Sequence, residues 1–375
     1  MPTQRYGTTS VLEAARARLR WVFDHFDEII VSVSGGKDST ALAHLALAEA
    51  KRRGRRIGMF FLDEEVVYQS SADQVEYLMT LEPDHTIPMW LQVEFRLTNA
   101  TSTTEGQLIC WEAGKHKLWM RPKKAWSIQH APWDRATETV RDRRKGFGFY
   151  DAIENFERCY EGAAFLVGLR AAGESPNRWR AVSKNPVTVD GDRIYWGTQK
   201  GSNVALYPLF DWNFHDVWRY IAESGVRYSK IYDMQFRKGY PIHEMRVSSL
   251  IHERAFRSIC DLPEFEPRTY DRLLKRVKGI SLAQEHGKKD QLFRARKLPK
   301  NLTSWREYRD HLLRTHQDRE RVGIFERRFA RQLDNEYVAR QQVRQLVLND
   351  YENNLAVDNA EDPRAALVRY YDEVL

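Results

Sequence analysis

The heptapeptide Ser34-Gly-Gly-Lys-Asp-Ser-Thr40 constrains the fold of this chain more than any other stretch of its sequence. A β-branched run at residues 28–33 precedes it, and an Ala- and Leu-rich segment at residues 38–53 follows it. A strand that turns through glycines into a helix opens a β-α-β unit, in which the strands run parallel. The alternation continues with a strand at 56–62, a helix at 70–81 and a strand at 86–95. We therefore expect a doubly wound α/β fold with helices on both faces of its sheet.

Further patterns extend this plan along the chain. Residues 10–26 have helical periodicity, with Ser10 or Thr9 placed to cap the helix. The pattern breaks at residues 97–148, a polar and Trp-rich stretch that we interpret as an insertion or lid over the sheet. Later elements are a helix at 149–160, a strand at 163–169, a hairpin at 187–196 turning at Asp190-Gly191, and a helix at 211–223. Helices dominate beyond Pro241, so we expect an α/β domain at 1–240 and a mainly helical region at 241–375.

Composition narrows the class of protein. Hydrophobic residues make up 42% and charged residues 30%, as in soluble globular proteins. The longest apolar runs, such as 29–33 and 57–62, are much shorter than the roughly 20 residues needed to span a bilayer. The first twenty residues contain no apolar segment of the kind that directs secretion. With three scattered cysteines, no disulfide framework is expected, and the cytoplasm is the predicted compartment.

Charge is distributed unevenly along the chain, whose formal net charge is +7. Residues 261–350 contain 21 Lys and Arg against 14 Asp and Glu, whereas residues 351–375 contain 2 against 6. The basic segment has two interpretations. It is a binding surface for nucleic acid or an acidic protein, or it is a solvated helical face, which the interleaved acidic residues favour.

The loop at residues 34–40 has the chemistry of an anion site. Glycines allow the backbone to approach an anion closely, and the start of the following helix adds N–H donors and a partial positive charge. The hydroxyls of Ser34, Ser39 and Thr40 add donors, and Lys37 adds a positive charge. The spacing differs from that of a Walker A loop, but the position at a strand end of a doubly wound sheet is where such folds bind ligands. We expect the loop to hold a phosphate or pyrophosphate.

Three segments carry a resemblance to a known family. Residues 34–39 resemble the PP-loop, SGGxDS, of the adenine-nucleotide α-hydrolase superfamily. Residues 168–178, Gly-Leu-Arg-Ala-Ala-Gly-Glu-Ser-Pro-Asn-Arg, and residues 207–218, which contain Asp211-Trp212 and Asp216-Val217-Trp218, resemble elements of the phosphoadenylylsulfate (PAPS) reductase family. The resemblance covers about residues 28–235. It implies a parallel five-stranded sheet with a nucleotide at the carboxyl ends of the strands.

The resemblance also implies roles for individual residues. The loop would bind the phosphates, Asp63 would lie near the adenosine, and Lys37, Asp38 and Arg170 would take part in catalysis. The far side of the anion site would be lined by Arg170 and the following charged residues. The implied nucleotide-binding set is Ser34, Gly35, Gly36, Lys37, Asp38, Ser39, Asp63, Arg170, Glu174 and Arg178, with Arg180 and Lys184 as an extension or as surface charge.

The chain also departs from that family. PAPS reductases carry a nucleophilic cysteine in a C-terminal Glu-Cys-Gly-Leu-His motif, which is missing here. The last cysteine, Cys260, is expected to be a small buried helix residue. Cysteines at least 49 positions apart predict no iron–sulfur cluster, and the histidine spacing predicts no zinc site. ATP as ligand would bring Mg²⁺, for which Asp38 and Asp63 are the candidate oxygen ligands.

Residues 231–253 are similar to a PAPS reductase-like subgroup, the IbrA-like proteins. That subgroup is described as a prophage co-activator that accompanies a ParB-like partner. The similarity implies a protein partner and a regulatory or defence role, and it makes Arg246 a secondary site candidate.

Two classes of function remain open at this point. In the first, the chain is an enzyme that cleaves ATP between the α- and β-phosphates to adenylylate an acceptor, or one that uses PAPS or a sulfur-modification chemistry. In the second, the nucleotide site is a sensor or a structural relic, and a Trp-rich basic segment and the basic C-terminal part bind nucleic acid or a protein partner, with single strands suited to the interleaved aromatic and basic residues. The residues of that segment are Trp111, Lys115, Lys117, Trp119, Arg121, Lys123, Lys124 and Trp126.

Overall fold

The computed structural model describes residues 7–102, 104–141, 146–171, 186–252, 255–286, 298–353 and 355–362. The chain divides into two compact units, and each is assembled from separate segments of sequence. The sheet unit comprises residues 1–93, 122–139 and 150–247, and the helical unit comprises residues 94–121, 140–149 and 248–375. The domain boundary expected near residue 240 stays a prediction.

The described strands are short. They are β1 (Ile29–Ser32), β2 (Ile57–Leu62), β3 (Thr86–Leu91), β4 (Phe95–Thr98), β5 (Gln107–Cys110), β6 (Ala164–Val167), β7 (Val187–Val189), β8 (Asp192–Ile194), β9 (Gly197–Lys200) and β10 (Asn203–Leu206). The main sheet has the order β3-β2-β1-β6-β10-β9. Its first five strands pair in parallel, and only β9 at the edge is antiparallel. The five parallel strands expected from the sequence are thus confirmed, with one extra edge strand.

The described α-helices are distributed over both units. They are α1 (Val11–His25), α2 (Lys37–Arg52), α3 (Gln69–Thr80), α4 (Phe149–Glu157), α5 (Phe214–Ser224), α6 (Ile231–Arg237), α7 (Phe256–Phe265), α8 (Pro267–Arg276), α9 (Ile280–His286), α10 (Trp305–Thr315), α11 (Val322–Phe329) and α12 (Glu336–Val347). Within the described residues, no helix is both long and apolar enough to cross a membrane.

Helices cover both faces of the main sheet, because successive side chains of a strand point to opposite faces. On β2, Met59 and Phe61 belong to the apolar cluster that also contains residues of α1, α2, α3 and α5. Phe60, between them, instead stacks on Phe156 of α4, with ring centroids 4.2 Å apart. A sheet buried on both faces needs apolar residues at every position, which explains why β2 reads as a continuous apolar run. The predicted doubly wound α/β class is confirmed.

Most local predictions in the sheet unit are also confirmed. Helix α1 begins after Ser10, whose hydroxyl accepts from the Glu13 amide while the Glu13 carboxylate accepts from the Ser10 amide. The hairpin β7–β8 turns at Asp190-Gly191, where both residues have positive φ. The strand predicted at residues 86–95 is present but shorter, because β3 spans Thr86–Leu91 and Phe95 begins β4 in the helical unit. The edge pair β9–β10 was not predicted.

The helical unit contains the hairpin β4–β5 and helices α7 to α12. Asn349, which is 3% exposed, joins distant parts of this unit. Its amide donates to the carbonyl oxygens of Asn99, at 3.0 Å, and Ser102, at 2.6 Å. Residues separated by about 250 positions therefore share one buried hydrogen-bond network.

Candidate functional site

The loop between β1 and α2 needs glycine at position 35. Gly35 has a φ of +71°, in the left-handed region that side chains with a Cβ rarely adopt. A Cβ at this position would also overlap the carbonyl oxygen of Ser71, at the start of α3. The chain can thus make this turn beside α3 only because residue 35 has no side chain.

Serine hydroxyls hold the loop in place from within. Ser39 donates from its Oγ to the carbonyl oxygen of Gly36 at 3.1 Å and accepts from the Ser34 amide at 3.1 Å. The hydroxyls of Ser34 and Ser39 also lie 3.1 Å apart. The hydroxyl of Thr40, in contrast, is fully buried and has no hydrogen-bond partner among the described residues. Ser34 is exposed, so its hydroxyl is accessible at the loop surface.

Three charged side chains meet at the first turn of α2. Asp38 lies between two cations: its Oδ2 accepts from Lys37 Nζ at 3.1 Å, and its Oδ1 accepts from Arg170 Nε. Lys37 is 8% exposed and Arg170 6% exposed. One carboxylate thus contacts two largely buried cations at the N-terminus of α2. Cations and a helix N-terminus both favour a nearby anion.

Arg170 reaches the loop because the end of β6 lies against α2. A Cβ on Gly168 would stand 3.0 Å from the carbonyl carbon of Asp38 and 3.0 Å from the amide nitrogen of Ser39. Glycine at 168 permits this close approach of the two backbones. Just after Arg170, the amide of Ala171 donates to the carbonyl oxygen of Phe210 at 2.7 Å. The Gly-Leu-Arg sequence therefore brings a guanidinium to Asp38, although the two residues are 132 positions apart.

Asp63, at the end of β2, is fully buried. Its Oδ1 accepts from the Glu65 amide at 3.0 Å, and its Oδ2 accepts from Trp90 Nε1 at 2.8 Å and Gln92 Nε2 at 3.0 Å. The carboxylate thus joins the ends of β2 and β3 at the carboxyl edge of the sheet. Its hydrogen bonds orient these strand ends.

Asp38 and Asp63 do not fit a magnesium site in this structure. The oxygens of Asp38 accept from two cations, and those of Asp63 accept from three N–H groups. Mg²⁺ prefers an octahedral shell of oxygen ligands, which committed acceptors do not supply. Among the described residues, no three His, Cys, Asp or Glu side chains converge where they could hold a metal ion.

Tyr232, on α6, is a site residue that sequence reasoning did not identify. Its hydroxyl oxygen accepts from the amide of Lys37 at 3.0 Å, inside the loop. Its ring centroid lies 5.7 Å from Lys37 Nζ. Burial, followed by the negative charge of Asp38, raises the pKa of Tyr232 above its ordinary value. The sequence carries no spacing signal for this contact, since 195 residues separate the partners.

Tyr232 also lines a cleft of about 640 Å³. Aromatic and apolar side chains of α5 and α6 form much of its wall. The ring of Trp218 makes edge contacts with Tyr232, at 5.1 Å between centroids, and with Tyr228, at 5.2 Å. Trp218 therefore lines this cleft and also packs against the main apolar cluster, whereas Trp212 is 1% exposed and lies within that cluster.

Several predicted site residues lie outside the described residues, namely Glu174, Arg178, Arg180 and Lys184. Arg246 is described and half-buried. Its backbone is held by both ends of the Gln235 side-chain amide, at 2.9 and 3.1 Å. The Arg246 guanidinium donates to the carbonyl oxygen of Glu244 at 3.3 Å.

The Trp-rich segment uses most of its aromatic rings for packing. In the helical unit, Trp111 is fully buried and contacts Trp119 edge-on at 5.4 Å. In the sheet unit, Trp133 is 8% exposed, while Trp126 is 43% exposed and contacts Trp90 edge-on. Rings that stack on bases must be exposed on one face, and Trp126 is the most exposed of these four.

Cys260 lies in α7, as predicted, and is partly buried. Its Sγ lies 3.7 Å from the carbonyl oxygen of Ala283, within the helical unit. A thiol that hydrogen-bonds to a backbone carbonyl has no activating cation in that contact.

Comparison with known families identifies the family to which the chain belongs. The family model described as "Phosphoadenosine phosphosulfate reductase domain" matches residues 28–264, which is more than half of the sequence. The chain belongs to this reductase-domain family. The matched residues include the loop, Arg170 and Tyr232. A second model, "Domain of unknown function (DUF3440)", matches residues 239–350 of this family member.

Individual relatives are distant. An uncharacterised protein of Escherichia coli K12, YbdN, is 26% identical over 310 residues, which cover 80% of this chain and 73% of that protein. The adenosine 5'-phosphosulfate reductase of Staphylococcus saprophyticus is 24% identical over 230 residues, which cover 61% of this chain and 75% of the enzyme.

Solved structures of two kinds are similar to this reductase-domain protein. The PAPS reductase of Candida auris, in a phosphate complex, shares 14% identity with a TM-score of 0.33, over 62% of this chain and 94% of that one. The FMN adenylyltransferase of Candida glabrata, with FMN and an ATP analogue, shares 14% identity with a TM-score of 0.33, over 61% of this chain and 64% of that one.

Proposed function

We propose that this chain binds an adenine nucleotide, with the phosphates against the loop and the N-terminus of α2. The observation that carries the proposal is the contact of Asp38 with both Lys37 and Arg170. It places two largely buried cations, each in contact with one oxygen of the same carboxylate, at one helix N-terminus. The adenine part of the proposal is supported by family membership, because phosphoadenosine phosphosulfate, which names the family, is an adenine nucleotide.

The proposed binding set follows the sequence analysis. The loop residues 34–39 contact the phosphates through the Lys37 side chain and through backbone amides other than those of Ser34 and Lys37, which donate to Ser39 and Tyr232. Asp63 acts on the adenosine side by ordering Trp90 and Gln92 at the strand ends. Arg170 pairs with a phosphate oxygen while it keeps its contact with Asp38. Glu174 and Arg178 complete the proposed binding set.

We propose adenylyl transfer as the reaction. An oxygen of the acceptor attacks the α-phosphorus of ATP, the bond from that phosphorus to the bridging oxygen of the β-phosphate breaks, and pyrophosphate leaves. The acceptor's proton passes to solvent. Lys37 and Arg170 stabilise the charge that builds on the leaving pyrophosphate, which is the main contribution available to a site of preorganised cations. The acceptor is not identified.

ATP is taken as its Mg²⁺ complex in this proposal. The ion stays on phosphate oxygens, since the carboxylates of Asp38 and Asp63 are committed to N–H donors. When bound, Mg²⁺ neutralises phosphate charge.

A second candidate ligand is an adenylyl sulfate such as PAPS. The similarity to adenosine 5'-phosphosulfate reductase favours it. Sulfonate transfer then needs a thiol from another protein, because the Glu-Cys-Gly-Leu-His motif is missing and Cys260 is engaged with Ala283. A third candidate is nucleotide sensing by an IbrA-like regulator that acts through a ParB-like partner or nucleic acid, a role that rests on the similarity of residues 231–253.

Calorimetric titration of the full chain with Mg²⁺–ATP, and separately with PAPS, tests the ligand. We expect Lys37→Ala to weaken binding strongly, because Lys37 is nearly buried at the loop. Lys51→Ala is the matched control, since Lys51 lies on the same helix but pairs with Glu82 at 2.8 Å. Equal weakening by both variants would refute the site, and the absence of binding by the wild-type chain would refute the function.

Incubation with ATP labelled at the α-phosphate tests the reaction. Label transferred to an acceptor, with one pyrophosphate released per label, supports adenylyl transfer. Tight binding of ATP without pyrophosphate release, in the presence of a cell extract as the source of acceptors, would favour the sensing role.

A further inference from the structure

The hydroxyl of Tyr232 lies inside the loop that we assign to phosphates. The side chain is 2% exposed. Its oxygen accepts from the amide of Lys37 at 3.0 Å. A Cβ built on Gly36 would lie 3.6 Å from the same oxygen. The phenol is therefore next to the backbone that a bound phosphate must approach.

Among the described residues, the hydroxyl of Tyr232 accepts a hydrogen bond but does not donate one. A tyrosine hydroxyl both accepts and donates, and the oxygen of Tyr232 already accepts from the amide of Lys37. Among the described residues, no acceptor receives the O–H of Tyr232. Buried donors are nearly always paired, so an unfilled donor at this position indicates a missing acceptor.

We propose that Tyr232 donates its O–H to an oxygen of the phosphate group held by the loop, an inference that rests on the proposed nucleotide binding. The donor is neutral and rigidly placed. It therefore supplies direction to the bound phosphate, while Lys37 and Arg170 supply charge. Burial and the nearby Asp38 raise the pKa of Tyr232, so the proton stays on the phenol at neutral pH.

Tyr228 provides a matched control. It contacts the same tryptophan, Trp218, edge-on, at 5.2 Å against 5.1 Å for Tyr232. Its hydroxyl, however, donates to Asp233 at 2.8 Å. Removing that hydroxyl perturbs the same aromatic group and leaves the loop untouched.

Calorimetry of the full chain tests the proposal, with Mg²⁺–ATP and with inorganic pyrophosphate as the adenine-free probe. We expect Tyr232→Phe to bind both probes about tenfold more weakly, in line with the loss of one hydrogen bond to a charged group. Tyr228→Phe should stay within about twofold of wild type, as expected for a change outside the loop. Equal affinity of Tyr232→Phe and wild type would overturn the inference. Tighter binding by Tyr232→Phe would also overturn it, because the phenol would then occupy the place of a phosphate oxygen.

A fluorinated tyrosine at position 232 separates donation to the ligand from support of the loop. Fluorine makes the O–H a stronger donor and the oxygen a weaker acceptor. Affinity for pyrophosphate should rise if the O–H donates to it, and should fall if Tyr232 only accepts from the Lys37 amide. A fall would overturn the inference. Failure of the wild-type chain to bind either probe would instead remove the proposed function itself, and the inference with it.

Discussion

At the scale of single residues, the conformation of the loop depends on glycine, and its charge depends on a small number of side chains. Gly35 meets two constraints, a positive φ and contact with the Ser71 carbonyl. Gly54 meets only the first, since its φ is +63° and nothing lies within 4 Å of a Cβ there. Substitutions at Gly35 and Gly54 therefore distinguish the cost of a positive φ from the cost of steric overlap with a neighbour.

We expect Gly35→Ala to lower the free energy of unfolding by more than Gly54→Ala, whose cost should be about 1 kcal/mol from the left-handed backbone alone. Gly35→Ala should also abolish nucleotide binding, because relief of the overlap must move the loop. Chemical denaturation and calorimetry measure the two effects. Equal destabilisation by the two substitutions would show that the contact with Ser71 carries no cost.

Arg170 gives a second prediction at this scale. Arg170→Ala removes one of the two cations that Asp38 holds, and we expect it to weaken ATP binding by about 10- to 100-fold, equivalent to about 1.5–3 kcal/mol. The control is Arg219→Ala, which removes a cation of the same unit that pairs with Glu223 at the surface. Calorimetry with Mg²⁺–ATP checks both. If Arg170→Ala binds like Arg219→Ala, Arg170 contributes nothing to the anion site.

At the scale of elements, α1 is fixed to the segment before α5 by Arg18. Its guanidinium donates to both oxygens of Asp211, at 2.8 and 2.5 Å, and to the carbonyl oxygen of Pro208 at 2.8 Å. The same group lies over the ring of Phe210, 4.5 Å from its centroid. Asp211 belongs to the Asp-Trp element that carries part of the family resemblance, so that element has a structural role here.

We expect Arg18→Ala to lower the free energy of unfolding by about 1–3 kcal/mol, since it breaks charge-assisted hydrogen bonds in a partly buried pair. Arg16→Ala, on the same helix but without such bonds, should cost less than about 0.5 kcal/mol, as is usual for surface changes. Urea denaturation tests this with the single variants Arg18→Ala, Arg16→Ala and Asp211→Ala and with the double variant that combines Arg18→Ala and Asp211→Ala. Additive effects of the two single substitutions would exclude a coupling between the partners.

At the scale of the whole molecule, neither unit is a continuous piece of sequence. Residues 94–121 belong to the helical unit although they lie between strands of the sheet unit. In the helical unit, Arg272 donates to the carbonyl oxygen of Met120 at 2.6 Å, and Asn349 donates to Asn99 and Ser102. Residues of β4 and β5, such as Phe95, Leu108 and Cys110, are buried there.

A chain ending at residue 247 should therefore aggregate or be cleaved within residues 94–121. The truncation removes the helices that belong to the same unit as β4 and β5, and exposed apolar strands promote association. Size-exclusion chromatography and limited proteolysis compare it with the full chain. A truncated chain that stays monodisperse and resists protease would show that residues 94–121 are stable without residues 248–375.

The sequence determined by itself the elements whose signals are local. The loop 34–40, the cap at Ser10, the turn at Asp190-Gly191 and the strands β1, β2, β3 and β6 follow from glycine conformations, capping chemistry and apolar periodicity, whereas the count of five parallel strands came from the family resemblance. These depend on neighbours within a few residues, so they can be predicted from pattern alone. The strand predicted at residues 86–95 was too long at its end, because Phe95 pairs with Cys110 in the helical unit, a pairing that local propensity does not encode.

Only the tertiary structure decided which side chains meet at the site. It brought Arg170 to Asp38 and the hydroxyl of Tyr232 to the amide of Lys37, across 132 and 195 residues. It turned Asp63 into an internal acceptor for Trp90 and Gln92, and it buried the ring of Trp111, which the sequence left open to nucleic acid. Contacts of this kind arise from the packing of distant elements, which fixes burial, direction and the number of available partners for each polar group.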